Sequence, residues 1–216
     1  MNILCLGCSW TEGVPAARDN WVSALAEQTP DNTYYNLAQG GSSLLHSIWV
    51  MEQFLAQSSV KIDKIIFQLT TDGRVTYYKD LDNFKIDDWL INITPNLYRL
   101  KIQWDKLRTI TYSTASMHPT TPKEVELFKF ANMYYSNLTT EHHFQLEHKI
   151  LIEYIKSRVD FLFFHRRDTT GISGITSIQD ELGDELFSKF SIDNGSHFGK
   201  EGVQWQAHWI RDRLIL

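Results

Sequence analysis

The chain is poor in cysteine and proline and has no excess of positive charge. Two cysteines in 216 residues cannot form the disulfide framework of a small secreted domain. They stand in "CLGC" (5–8), a C-x-x-C spacing, but there is no second cysteine pair to complete a zinc site. Cys5 is expected in the core and Cys8 in a loop. Twenty-one Lys and Arg against 26 Asp and Glu give a net charge of −5, which argues against a nucleic-acid backbone as partner. The basic cluster "HRRD" (165–168) is too short to change that. No apolar run reaches bilayer length, and no basic segment leads into an apolar stretch at the start. The expectation is a cytoplasmic protein with neither membrane nor nucleic acid as partner. Nucleotide fingerprints are missing too. No G-K-[ST] follows Gly7, and no G-x-G-x-x-G follows the first apolar run. Thr11 occupies the second glycine position of G-x-S-x-G, which argues against that nucleophile elbow.

With 43% hydrophobic and 22% charged residues, the composition is that of a globular protein. The length suits one domain, 1–216. "NILCLG" (2–7) reads as a buried strand stopped by glycine. "DNWVSALAEQ" (19–28) reads as a helix capped by Asp19 or Asn20, "TYYNLA" (33–38) as a strand, and "SSLLHSIWVMEQFLAQ" (42–57) as a helix opened by serines. "KIDKIIFQL" (61–69) is a third strand. Strands alternating with helices call for a parallel sheet with helical crossovers. Residues 70–96 show no clear period, and 122–159 look helical, with Leu146, Leu151, Ile152 and Ile155 as the apolar stripe. "VDFLFFH" (159–165) is expected as the fourth strand, and 199–216 as a closing helix with Val203, Ala207 and Ile210 inward. The fold class is therefore α/β: a three-layer sandwich on a flavodoxin-like parallel sheet, with 75–150 as a helical insertion between strands three and four.

In such sheets ligands bind beyond the carboxyl ends of the strands. Small and polar residues gather at those ends: "GCSWTEG" (7–13), "QGGSS" (39–43), "TTDGR" (70–74), and "DNGSHFGKEG" (193–202) before the last helix. That pattern puts Ser9, Gly40, Gly41, Thr70, Thr71, Asp72 and His197 on one rim. Each is also an ordinary turn or loop residue when taken alone. It is their joint placement that points to a site.

These four segments, in this order, resemble the SGNH (GDSL-like) hydrolase superfamily, an α/β fold of acyl-ester hydrolases. Gly7-Cys8-Ser9 resembles the G-D-S turn that bears the family's nucleophilic serine. Asn36 and Gly41 have the spacing of the second block, whose glycine gives an N–H to the oxyanion hole. Asp193 and His197 resemble the D-x-x-H before the last helix. Three positions depart from the pattern. Cys8 replaces an aspartate that is neither nucleophile nor base. "LTTD" stands for G-x-N-D, so Thr71 falls where the oxyanion-hole Asn belongs and Asp72 on the Asp after it; a slip of one residue would put Asp72 in the hole instead. Either the Thr70 or the Thr71 hydroxyl substitutes as donor, or the hole relies on backbone N–H groups, or the site is crippled. The acid lies four residues before His197, with Asn194 at the usual place, leaving Asp193–His197, Asn194–His197 or a bare Ser–His dyad open.

The resemblance implies a serine-dependent esterase or acyl hydrolase that removes a small acyl group, such as acetyl, from a carbohydrate or similar alcohol, with no cofactor and no metal. Ser9 would be nucleophile, His197 base and Asp193 its orienter. The Ser9 and Gly41 N–H groups would line the oxyanion hole with Thr71 or Asp72. The rival expectation is a catalytically impaired binding or structural protein on the same scaffold. His143 and Glu147 in "EHHFQLEH" (141–148) suit a solvated helix face better than a metal. Trp89 and Trp104 suit core or lid packing better than a sugar platform. Arg166 and Arg167, just past the fourth strand, either bind an anionic substrate group or are solvated.

Overall fold

The computed structural model describes residues 1–13, 20–70, 74–78, 85–101, 107–111, 126, 129, 133, 141–166, 175–192 and 197–214. Strand β1 (Asn2–Leu6) runs down the middle of the main sheet. Its residues alternate between two hydrophobic clusters, as a strand buried on both faces must. Ile3 and Cys5 join Trp21, Leu25, Ala207 and Ile210 in one cluster. Leu4 and Leu6 join Met51, Phe54, Ile152 and Ile155 in the other. This is why "NILCL" is an unbroken apolar run.

Around β1 the expected alternation holds. Helix α1 (Ser9–Glu12) is a single turn, followed by α2 (Trp21–Gln28), whose cap Asn20 accepts from Ser23 N at 2.9 Å. Then come β2 (Thr33–Asn36), α3 (Leu44–Gln57) capped by Ser43, and β3 (Lys64–Leu69). The later chain gives β4 (Arg74–Tyr78), a 3₁₀ turn at Ile86–Trp89, β5 (Leu90–Thr94), β6 (Leu97–Leu100) and β7 (Leu107–Thr111). Helix α4 (Glu141–Lys156), β8 (Phe161–Phe164) and β9 (Thr176–Ser177) follow. The end of the chain is α5 (Ile178–Phe190), the paired strands β10 (Ser191–Ile192) and β11 (His197–Phe198), and α6 (Lys200–Leu214). Seven strands make one sheet in the order β5-β6-β2-β1-β3-β8-β9, parallel throughout except for β5 against β6. The protein is thus mixed α/β with a mostly parallel central sheet.

The expectation of a helical insertion at 75–150 needs correction over its described part. "INITPNLYRL" (91–100) is a hairpin, and β6 adds to the main sheet beside β2. The signal was the Pro95-Asn96 turn between apolar runs. Asn96 locks it from outside: its Nδ2 donates to the carbonyls of Ala26 and Asn32 at 3.0 and 3.2 Å. β4 and β7 form a second, antiparallel ribbon within the same stretch. On α4, Leu146 is exposed and His148 is buried in its place beside Leu151, Ile152 and Ile155. Helix α5 carries no readable period because Gly183, with φ 75°, kinks it and breaks the apolar spacing. Cys8 lies in the bend between β1 and α1 and is buried there, and both cysteines are free thiols. Among the described residues no helix is long and apolar enough to cross a membrane.

Candidate active site

The site begins where β1 ends. Gly7 has φ 155°, and a Cβ there would overlap Thr11 Oγ1 and lie 3.1 Å from Gln68 Cβ. Without a side chain, the backbone turns sharply into α1 and delivers Ser9 at its first position. A buried polar network underlies the turn. Thr11 Oγ1 donates to Gln68 Oε1, Trp21 Nε1 donates to Thr11 Oγ1 at 3.2 Å, and Gln68 Nε2 reaches Cys8 Sγ at 4.0 Å. The Gly7 carbonyl accepts from the hydroxyls of Ser42 and Ser47 on the far side. Asn36, at the end of β2, donates to Thr11 O at 2.8 Å and accepts from Ala38 N at 3.1 Å. Asn20 Nδ2 holds the carbonyl of Glu12 at 2.9 Å. A four-residue helix has little stability of its own, and these ties hold it in place.

His197 comes from the other end of the chain. It is the first residue of β11 and pairs in register with Ile192, while Gly199 N donates to Phe190 O at 2.8 Å. Phe198 anchors the strand in the core against Phe187 and His165. The imidazole that results lies with Nε2 3.0 Å from Ser9 Oγ, across 188 residues of sequence. Its other nitrogen, Nδ1, is buried. A hydroxyl and an imidazole at this distance suit proton transfer, which turns a weak nucleophile into a useful one.

The loop after β2 closes over the serine. A methyl added at Gly40 would lie 3.6 Å from Ser9 Cβ, so any side chain there would rest against the serine. Gly41 has φ 74°, a left-handed conformation that favours glycine. The Ser9 and Gly41 N–H groups are both left without an acceptor among the described residues. Thr70 is buried at the end of β3. Thr71, Asp72, Asp193, Asn194, Arg167 and Trp104 lie outside the described residues, as does the His143 side chain. Trp89 packs partly buried against the second core cluster, as expected of a core residue.

Trp10, His165, Glu12 and Arg99 were given no role in the sequence reading. Trp10 follows the serine, stands edge-on to His197 at 6.4 Å between ring centres, and stacks on His165 at 4.5 Å. His165 is buried, and neither ring nitrogen has a hydrogen-bond partner among the described residues. Burial first, then the nearby Arg166 and His197 charges, push its pKa down to about 3, so it is a neutral packing group. Arg166 lies with its guanidinium carbon 6.0 Å from the Trp10 ring centre. Glu12 and Arg99 form an ion pair at 2.6 Å beside the loop. Glu12 stood inside the quoted "GCSWTEG", but Arg99 carried no signal, because its strand was not expected. Among the described residues no cluster of His, Cys, Asp and Glu could hold a metal ion. Compared with protein-family models and with curated proteins, the chain gives no match to either.

Proposed function

We propose that this protein is a serine-dependent ester hydrolase of the SGNH type, built as a three-layer, flavodoxin-like α/β sandwich. It removes a small acyl group, acetyl by preference, from a carbohydrate or similar alcohol. The observation that carries this reading is the 3.0 Å approach of Ser9 Oγ to His197 Nε2 at the carboxyl edge of the sheet. Ser9 Oγ attacks the ester carbonyl while its proton passes to Nε2, and the carbonyl oxygen becomes an oxyanion. The Ser9 and Gly41 N–H groups donate to that oxygen, with the Thr71 hydroxyl or the Asp72 backbone N–H as the remaining donor. Asp193 holds the imidazole in the right tautomer. Collapse breaks the ester C–O bond, and Nε2 returns the proton to the departing alkoxide. Water then repeats the sequence on the acyl-serine. Each oxyanion donor contributes on the order of 3 kcal/mol to the barrier reduction. No cofactor, nucleic acid or membrane takes part.

The test is p-nitrophenyl acetate turnover by wild type, Ser9→Ala and His197→Ala, with fluorophosphonate labelling mapped by mass spectrometry. The expected result is label on Ser9 alone and loss of at least about 10³-fold in kcat for either variant. Equal rates for wild type and Ser9→Ala would remove the enzymatic reading in favour of a binding or structural protein.

A further inference from the structure

The Glu12–Arg99 pair does more than join two surface elements. Glu12 closes the turn that Ser9 opens, and its two carboxylate oxygens have different partners. Oε1 takes Arg99 Nη2 at 2.6 Å, and Oε2 accepts from the Gly40 N–H. Arg99 is on β6, directly opposite Asn36 in the sheet register. One side chain therefore ties the serine's own helix to the glycine loop and to the hairpin from the middle of the chain. The pair is partly shielded, with Glu12 20% and Arg99 35% exposed.

Resting on the hydrolase reading above, we infer that Glu12 is a positioning residue for the oxyanion hole and that Arg99 is its charge partner. By taking the Gly40 N–H, Glu12 fixes the Gln39–Gly40 peptide, one plane before the peptide that carries the Gly41 N–H. The next N–H, that of Gly41, is left for substrate. The arrangement carries a hazard. A methyl on Gly40 would touch both Glu12 Oε2, at 2.8 Å, and Ser9 Cβ, at 3.6 Å, so a full negative charge sits next to the place where negative charge develops. Like charges at such range oppose the transition state. Arg99 neutralises the carboxylate, which allows it to act as a tether without opposing the reaction.

The two roles separate in kinetics. Glu12→Ala frees the loop, and kcat is expected to fall by about 10²-fold, the usual penalty for a donor displaced by about 1 Å, with KM within about twofold. Arg99→Met keeps the tether but exposes its charge, lowering kcat by roughly tenfold. Glu12→Gln/Arg99→Met removes the charge while keeping an acceptor for Gly40, and kcat returns to within about threefold of wild type. A merely structural pair would give the opposite pattern, the double variant being at least as impaired as Arg99→Met. Amide exchange at 39–41 is expected to quicken in Glu12→Ala alone, with melting temperatures recorded for all. Wild-type rates in Glu12→Ala, or a double variant no better than Arg99→Met, overturn the positioning role while leaving the hydrolase intact. A wild type without Ser9-dependent turnover overturns the hydrolase reading, and this role with it.

Discussion

When the protein is taken from pH 7 to pH 5, His165 and His46 stay neutral in the fold while an unfolded chain gains a proton at each. Burial holds His165 at about 3, helped by the Arg166 and His197 charges, and burial alone holds His46 at about 4. An unfolded histidine titrates near ~6.5. Both folded values are depressed, so the unfolded state binds more protons and stability rises with pH. The contribution is fully present above ~6.5 and is lost steadily as the pH falls toward the folded values. At pH 5 each group lies about 1.5 units below its unfolded midpoint, which costs about 2 kcal/mol, or about 4 for the pair. Against a typical stability of about 5–15 kcal/mol, that is a large fraction. Urea unfolding at the two pH values measures it directly, each 2 kcal/mol moving the midpoint by about 1 M. His165→Leu keeps the volume beside Trp10, Phe187 and Phe198 but cannot titrate. Whatever its stability at pH 7, its loss between pH 7 and pH 5 should be smaller than wild type's by about 2 kcal/mol. An equal loss in the two proteins would refute the claim that His165 is buried and neutral.

The turn glycines should differ in calorimetry. Gly7→Ala forces a methyl into Thr11 and Gln68 and is expected to cost roughly 2–4 kcal/mol, lowering Tm by about 5–15 °C. Gly41→Ala meets no atom within 4 Å and carries backbone strain only. It should cost about 1 kcal/mol, a Tm drop of about 2–4 °C. Equal drops would contradict the crowding at Gly7. Asn36→Ala strips a partner from Thr11 O and from Ala38 N, both buried, and should cost roughly 2–4 kcal/mol in urea titrations. Asn36→Asp keeps the bond from Ala38 but sets an oxygen against the Thr11 carbonyl, so it should recover little of that loss.

The strand–helix rhythm of residues 2–69 was legible because each strand there is buried on both faces and reads as an apolar run, while Asn20 and Ser43 mark their helices as caps. So was the placement of Ser9 at the carboxyl end of β1; His197, on a two-strand ladder outside the main sheet, was placed beside it by the motif before the last helix and not by strand order. The hairpin at 90–100 was not, because an antiparallel strand added at the edge has one half-exposed face and its pattern is weak: Ile91 and Ile93 are exposed. Nor was α5, which Gly183 breaks. His165 ends an aromatic strand and was read with Arg166 as part of a basic cluster. Its burial depends on Trp10 and Phe198, which lie far from it along the chain. Arg99 could not be found without the hairpin that carries it.

The two-residue ladder of Ser191–Ile192 with His197–Phe198 acts as a clasp whose two jaws are seated separately, one following α5 and the other leading into α6. Because the imidazole belongs to a jaw, its location owes nothing to how many residues lie between them. A chain of this design can gain or lose a residue in that connection and keep the imidazole in place. On the proposed reading, counting positions back from the histidine is therefore a poor guide to which acid partners it.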